Sequence, residues 1–152
     1  MRLLIAVFLL FIGCSSAAAA EIIKLGCREG AQATDCFLAQ AKFSFTQCRT
    51  KYSQAMRLAA ISGRPNPQAD DELAACIDSY KEQISPFYGA ARSALAGKKD
   101  AEAALKEMYA YWLSSMASLP AQSGETERER ERRLTERTAG IQDRASRVEV
   151  ER

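Results

Sequence analysis

Cysteine is the residue type here with the widest chemistry, because a thiol can form a disulfide, ligate a metal or act as a nucleophile. The sequence contains Cys14, Cys27, Cys36, Cys48 and Cys76, and it has no histidine. Zinc sites favour closely spaced cysteine pairs with histidine as co-ligand, and a cysteine nucleophile normally needs a histidine base. Neither pattern is present, so we expect disulfides and predict no metal and no other cofactor.

Carboxylates provide the second candidate chemistry. Asp70, Asp71 and Glu72 form the only dense acidic cluster in the part of the sequence that we expect to fold as a core. Three acidic residues also suit the first turn of a helix, where they face the positive end of its dipole. The sequence has no phosphate-binding glycine loop and no dinucleotide fingerprint. We therefore predict that the protein is not an enzyme.

The N-terminal residues predict export. Arg2 precedes an unbroken apolar run over residues 3–12, and small residues follow as far as Glu21. This is the pattern of a secretory signal, and the run has about half the length that a membrane-spanning helix needs. Cleavage after Ala20 is the favoured interpretation, which makes residues 1–20 a signal peptide. The alternative is lipid attachment at Cys14, where Gly13 and the following serines suit a lipoprotein tether.

Both routes leave four cysteines in an exported chain, which predicts two disulfides. A helical hairpin about residues 62–70 places Cys76 about 9 Å and Cys48 about 21 Å from its turn, at a rise of about 1.5 Å per residue. Cys36 lies roughly 39 Å away on the same basis. The smaller mismatch favours a Cys48–Cys76 bridge, which leaves Cys27 to pair with Cys36.

The spacing of apolar residues predicts an all-α fold. We expect a first helix over residues 35–61, with Thr34 as its cap and Gly63 just beyond its end. The acidic cluster is expected to open a second helix, which kinks or restarts at Pro86 and ends by Gly97.

A third helix is expected from about Asp100 to before Pro120. Together these elements predict a small disulfide-stapled bundle of three to four helices in residues 21–120.

The C-terminal segment, residues 121–152, is rich in glutamate and arginine. It holds eight arginines and eight acidic residues, so it is self-neutralising and is not a basic arm for nucleic acid. We predict an extended charged helix or a flexible tail, stabilised by ion pairs three or four residues apart. The predicted pairs are Glu125/Arg128, Glu127/Arg130, Glu129/Arg132 and Glu129/Arg133.

Two apolar stripes are candidates for contact with a partner or with the core. One is the aromatic segment of the third helix, and the other runs along the C-terminal helix at near-heptad spacing. Packing in the core is the expected role of the aromatic segment, whereas the second stripe could dock on the bundle or on a partner. The candidate partner-binding residues are Tyr109, Tyr111, Trp112, Leu134, Ile141 and Val148.

Net charge is small, at +2, which gives no electrostatic case for nucleic acid or an anionic membrane. The membrane is expected to matter only if Cys14 is acylated. We predict an exported, bacterial-type envelope protein, periplasmic or secreted, that binds another envelope or secreted protein as an inhibitor, immunity factor or accessory factor. The alternative is a structural or chaperone-like envelope protein, lipid-anchored if acylated.

Cys27 and Cys36 followed by a long aromatic helix resemble the opening of small cysteine-bearing lysozyme inhibitors of the cell envelope. The resemblance covers only this N-terminal stretch, and Cys48 departs from it. It implies no functional residue here.

Overall fold

The computed structural model describes Cys27 and residues 30–152, and residues 32–152 form one compact unit. The candidate signal peptide and Cys14 lie outside the described residues. The compact unit contains four helices, α1 (Ala33–Ser62), α2 (Ala69–Ala94), α3 (Lys99–Ala117) and α4 (Glu127–Glu151). Each helix packs against the next, and α4 also packs against α1. The predicted all-α, disulfide-stapled bundle with a charged C-terminal helix is confirmed.

The ends of α1 agree with the sequence prediction on one side only. Gly63 follows the helix with a φ of 64°, the left-handed conformation that glycine adopts most easily. The predicted cap at Thr34 is wrong, because Thr34 lies buried within the first turn. The helix starts earlier because the amide of Cys36 donates to the carbonyl oxygen of Gln32, and Gln32 takes the cap position.

Helix α2 runs through Pro86 without restarting. Its first turn contains the predicted acidic cluster, so this cluster sits at a helix N-terminus as expected. Pro86 is exposed, while Ile84 and Phe87 beside it are buried. A proline removes one backbone hydrogen bond, and the packing of its neighbours keeps the helix continuous across that position.

The predicted Cys48–Cys76 disulfide is confirmed, with the two Cα atoms 5.9 Å apart. Cys48 lies farther from the turn than Cys76, yet the two meet because α1 extends past the start of α2. The Tyr52 hydroxyl donates to Asp70 at 2.9 Å, so the middle of α1 lies level with the first turn of α2. The connecting loop runs beside the last turns of α1, since Pro65 and Met56 line the same cavity.

Cys27 and Cys36 are also disulfide-bonded. Their pairing with each other stays a prediction. Oxidised cysteines indicate an oxidising compartment outside the cytoplasm. Among the described residues, no helix is both long enough and apolar enough to cross a membrane.

Helix α4 is docked along its whole length and is not a free tail. Three ion pairs connect it to α1: Glu127 with Arg57 at 3.8 Å, Glu131 with Arg49 at 2.8 Å and Glu149 with Lys42 at 3.8 Å. None of the four ion pairs predicted within this segment forms, although all of these residues are described. Of these carboxylates only Glu127 reaches another helix, at Arg57 of α1. Glu125 pairs instead with Arg133 of the same segment, and Glu129 accepts from the amide of Thr126.

A partly buried ion pair holds the loop between α3 and α4. Arg133 donates to both carboxylate oxygens of Glu125 at 2.7 Å, and it also donates to the carbonyl oxygens of Ser118 and Pro120. The side chains of Glu125 and Arg133 are only 9 % and 17 % exposed. Hydrogen bonds from Arg133 lower the pKa of Glu125 from 4.5 to about 2.

We expect this ion pair to make the free energy of unfolding depend on pH. The pKa of Glu125 is lower in the folded chain than in the unfolded chain. The contribution of Glu125 to the free energy of unfolding is therefore complete above pH 4.5, its ordinary pKa, and is lost as the pH falls towards about 2. Glu125→Gln should therefore lower the unfolding temperature at neutral pH, and the difference from wild type should disappear by about pH 2. Thermal unfolding followed by circular dichroism at several pH values measures this difference.

The matched control is Glu136→Gln, at an exposed position of α4 that makes no ion pair with any described residue. Its unfolding temperature should follow wild type at every pH. A deficit for Glu125→Gln that stayed constant down to pH 2 would contradict the ion-pair explanation.

Candidate partner-binding surface

The predicted partner-binding stripe of α4 faces the interior. Leu134, Ile141 and Val148 are all buried, and they pack where α4 meets α1 and α3. They are therefore not available to a partner in this structure. A narrow apolar stripe on a helix predicts that it is covered but does not identify the covering surface.

The aromatic segment of α3 is also inside the bundle. Trp112 is fully buried and donates from its indole nitrogen to the Ser44 hydroxyl of α1 at 3.1 Å. Tyr109 stacks on Tyr88 of α2 with ring centroids 4.1 Å apart. These contacts connect three helices, which agrees with the core interpretation of this segment, with Trp112 buried and Tyr109 half-buried.

Tyr111 packs against α4, a contact that was not predicted from the sequence. The guanidinium groups of Arg137 and Arg144 lie over its ring, with centroid distances of 5.4 Å and 3.8 Å. Its ring occupies the space beside Gly140, where a Cβ atom would lie 2.2 Å from the hydroxyl oxygen. A Cβ atom at position 140 would therefore force the Tyr111 ring or α3 to shift, and a glycine inside a strongly helical charged segment was the available signal.

The start of α4 was also missed. The Thr126 hydroxyl accepts from the amide of Glu129, and the Glu129 carboxylate accepts from the amide of Thr126, which together form a capping box. The sequence pattern Thr-x-x-Glu was sufficient to predict it.

The acidic cluster contacts α1 through the hydrogen bond between Asp70 and the Tyr52 hydroxyl. Burial and the hydrogen bond to Asp70 raise the pKa of the Tyr52 hydroxyl, so it stays protonated. The guanidinium of Arg130, which is only 4 % exposed, lies 5.4 Å from the centre of the Tyr52 ring. Among the described residues, no group of His, Cys, Asp or Glu side chains is placed to hold a metal ion.

The exposed apolar residues mark a different surface. Phe43, Leu58 and Ile61 expose 51 %, 67 % and 85 % of their area. Ile61 follows Phe43 by 18 residues, which is five turns of about 3.6 residues, so both point in the same direction. Together with Lys51, these three residues define the outer stripe of α1.

A groove runs beside this stripe on the outer side of the α1–α2 hairpin. It has a volume of about 470 Å³, and the Cys48–Cys76 disulfide lies in its lining. Its walls carry the small side chains of Ala55 and Ala75, and Phe43 and Tyr80 form an edge-to-face pair across the two helices with ring centroids 6.4 Å apart. Small side chains in a groove let another backbone approach closely.

The charges on the two walls have opposite signs. Residues 36–69, which include nearly all of α1, contain five Lys or Arg and no acidic residue. Residues 70–94 of α2 contain five acidic residues against Lys81 and Arg92. A small net charge for the whole chain therefore conceals a basic helix beside an acidic one.

No protein-family model, curated protein or solved structure matches this chain. The similarity to small lysozyme inhibitors therefore has no support beyond the N-terminal cysteines.

Proposed function

We propose that this is an exported protein of a bacterial-type envelope that acts without catalysis, by binding another envelope or secreted protein. It would be periplasmic or secreted after cleavage at Ala20, and tethered to a membrane if Cys14 is acylated. The observation that carries the proposal is the outer stripe of α1, where three large apolar side chains lie exposed on one face. Leu58 and Ile61 are three residues apart on this helix, and neighbouring exposed apolar side chains on a small soluble domain are typical of an interaction site.

The rigidity of the hairpin supports this proposal. The disulfide joins α1 to α2 beneath the groove, and ion pairs attach the opposite side of α1 to α4. A surface that is already ordered loses little conformational entropy when a partner binds, so more of the contact energy is available for affinity. This arrangement suits an inhibitor, an immunity factor or an accessory factor.

The test uses Leu58→Ser/Ile61→Ser, a double variant of two exposed positions, for capture from a cell-envelope extract. Wild type is expected to retain one stoichiometric partner, and the double variant should lose it, because two apolar anchors are removed from the contact. Val150→Ser is the matched control, since Val150 is 81 % exposed but lies on α4. It should bind as wild type does.

Circular dichroism of all three proteins checks that the helices are intact. Capture of many substoichiometric clients, equally by wild type and the double variant, would contradict the proposal and favour a structural or chaperone-like role. Retention of a stoichiometric partner by the double variant would show that binding occurs elsewhere on the protein.

A further inference from the structure

Of the five Lys and Arg side chains in residues 36–69, three form ion pairs with described residues and two do not. Lys42, Arg49 and Arg57 form ion pairs with carboxylates of α4, so they serve the docking of that helix. Lys51 and Arg64 are exposed and form no ion pair with any described residue. Both unpaired cations lie on the part of the hairpin that contains Leu58 and Ile61.

A second copy of this chain does not suit the stripe. Two copies paired through α1 in opposite directions would bring Phe43 near Ile61 and would place the two Lys51 side chains close to the symmetry axis. Neither stripe has a carboxylate to compensate, because residues 36–69 have none. Like charges facing each other disfavour such an interface.

A flat anionic lipid surface suits the stripe no better. Glu72 of α2 lines the same groove as Lys51, and Asp71 is exposed on the same helix. A broad negative surface that covered α1 would also approach these carboxylates and be repelled. A narrow occupant can lie along α1 and avoid them.

We infer that the partner presents an acidic amphipathic helix, which docks lengthwise along the outer stripe of α1. Its apolar residues would contact Phe43, Leu58 and Ile61, and its carboxylates would face Lys51 and Arg64. Phe43 and Ile61 are about 27 Å apart along the axis at about 1.5 Å per residue, which is the length of a helix of about 18 residues. This inference rests on the proposed function, because it specifies the chemistry of the same binding surface.

The test reverses the unpaired cations in the full mature chain, as Lys51→Glu/Arg64→Glu. The matched control is Lys99→Glu/Lys106→Glu, which changes the net charge equally at two exposed lysines of α3 that form no ion pair with described residues. The probe is a synthetic amphipathic peptide of about 18 residues, with leucines on one face and glutamates on the other, titrated against each protein. At about 50 mM salt we expect the α1 variant to bind at least about tenfold more weakly and the control less than about threefold. The difference in affinity between the two charge variants should become smaller at about 0.5 M salt.

Equal weakening by both charge variants would overturn the inference, because only overall charge would then matter. Unchanged affinity of the α1 variant would overturn it too, while the capture experiment with Leu58→Ser/Ile61→Ser would still stand. Co-sedimentation with vesicles of equal parts phosphatidylglycerol and phosphatidylcholine is the remaining arm. If wild type bound these vesicles and Lys51→Glu/Arg64→Glu abolished the binding, the outer stripe would be a lipid-binding surface. That result would overturn the acidic-helix inference.

Discussion

Removing the bridge between α1 and α2 with Cys48→Ala/Cys76→Ala is expected to lower the free energy of unfolding by about 3.6 kcal/mol. The estimate follows from the 28 residues that separate the two cysteines, since a closed loop of that size restricts the unfolded chain by about this amount. Alanine is preferred to serine because Cys48 is fully buried and a hydroxyl there would need a hydrogen-bond partner.

Urea unfolding followed by circular dichroism measures this loss as a shift in the transition midpoint. Cys27→Ala/Cys36→Ala serves as a comparison. If these two cysteines pair as predicted, their nine-residue separation gives a smaller loss of about 2.6 kcal/mol. A Cys48→Ala/Cys76→Ala midpoint equal to that of wild type would show that packing alone sets the register of the hairpin.

The disulfide also bears on the proposed binding surface, because it lies in the lining of the groove beside the outer stripe. Its loss would leave Leu58 and Ile61 chemically unchanged and would alter only how firmly α1 and α2 are held together. Weaker partner binding by this variant would therefore be attributable to lost preorganisation.

The second large effect is expected at Gly140. Gly140→Ala should destabilise the protein by about 1–3 kcal/mol, because the added Cβ would collide with the Tyr111 ring and force α3 or that side chain to move. In a helix without this contact the same change is favourable by about 1 kcal/mol. The sign of the effect therefore reports the close approach of the two helices.

Gly89→Ala is the matched control, since Gly89 lies within α2 and a Cβ there meets no atom within 4 Å. It should stabilise the protein by about 0.5–1 kcal/mol. A second check places Gly140→Ala in a Tyr111→Ala background, where the collision is absent and the substitution should become stabilising. Destabilisation of similar size in both backgrounds would contradict the explanation.

The fold class could be predicted because its signals are local. Apolar residues at helical spacing, Gly63 after α1 and the acidic first turn of α2 each depend on neighbours within about one or two turns of the chain. The Cys48–Cys76 bridge could also be predicted, since a hairpin constrains which positions of two helices can meet. The mismatch in its register was not predictable, because the overhang of α1 depends on contacts between residues far apart in the chain, such as Tyr52 with Asp70.

The binding residues could not be identified from periodicity. The stripes of α3 and α4 have the same helical spacing whether they meet the core or a partner, and the structure shows both inside. The outer stripe of α1 has few apolar residues, so its sequence signal was weak. The absence of acidic residues from 36 to 69 was visible, but the net charge of +2 hid it.

The sequence by itself determined the helices, the oxidised cysteines and the overall balance of charge, since these follow from residue type and short-range spacing. Tertiary structure alone decided which faces are covered and which charges remain unpaired. Docking of α4 buried Leu134 and Ile141, directed Glu131 to Arg49 and left Lys51 beside exposed apolar side chains. Those outcomes depend on contacts between residues far apart in the chain, where no local pattern specifies the partner.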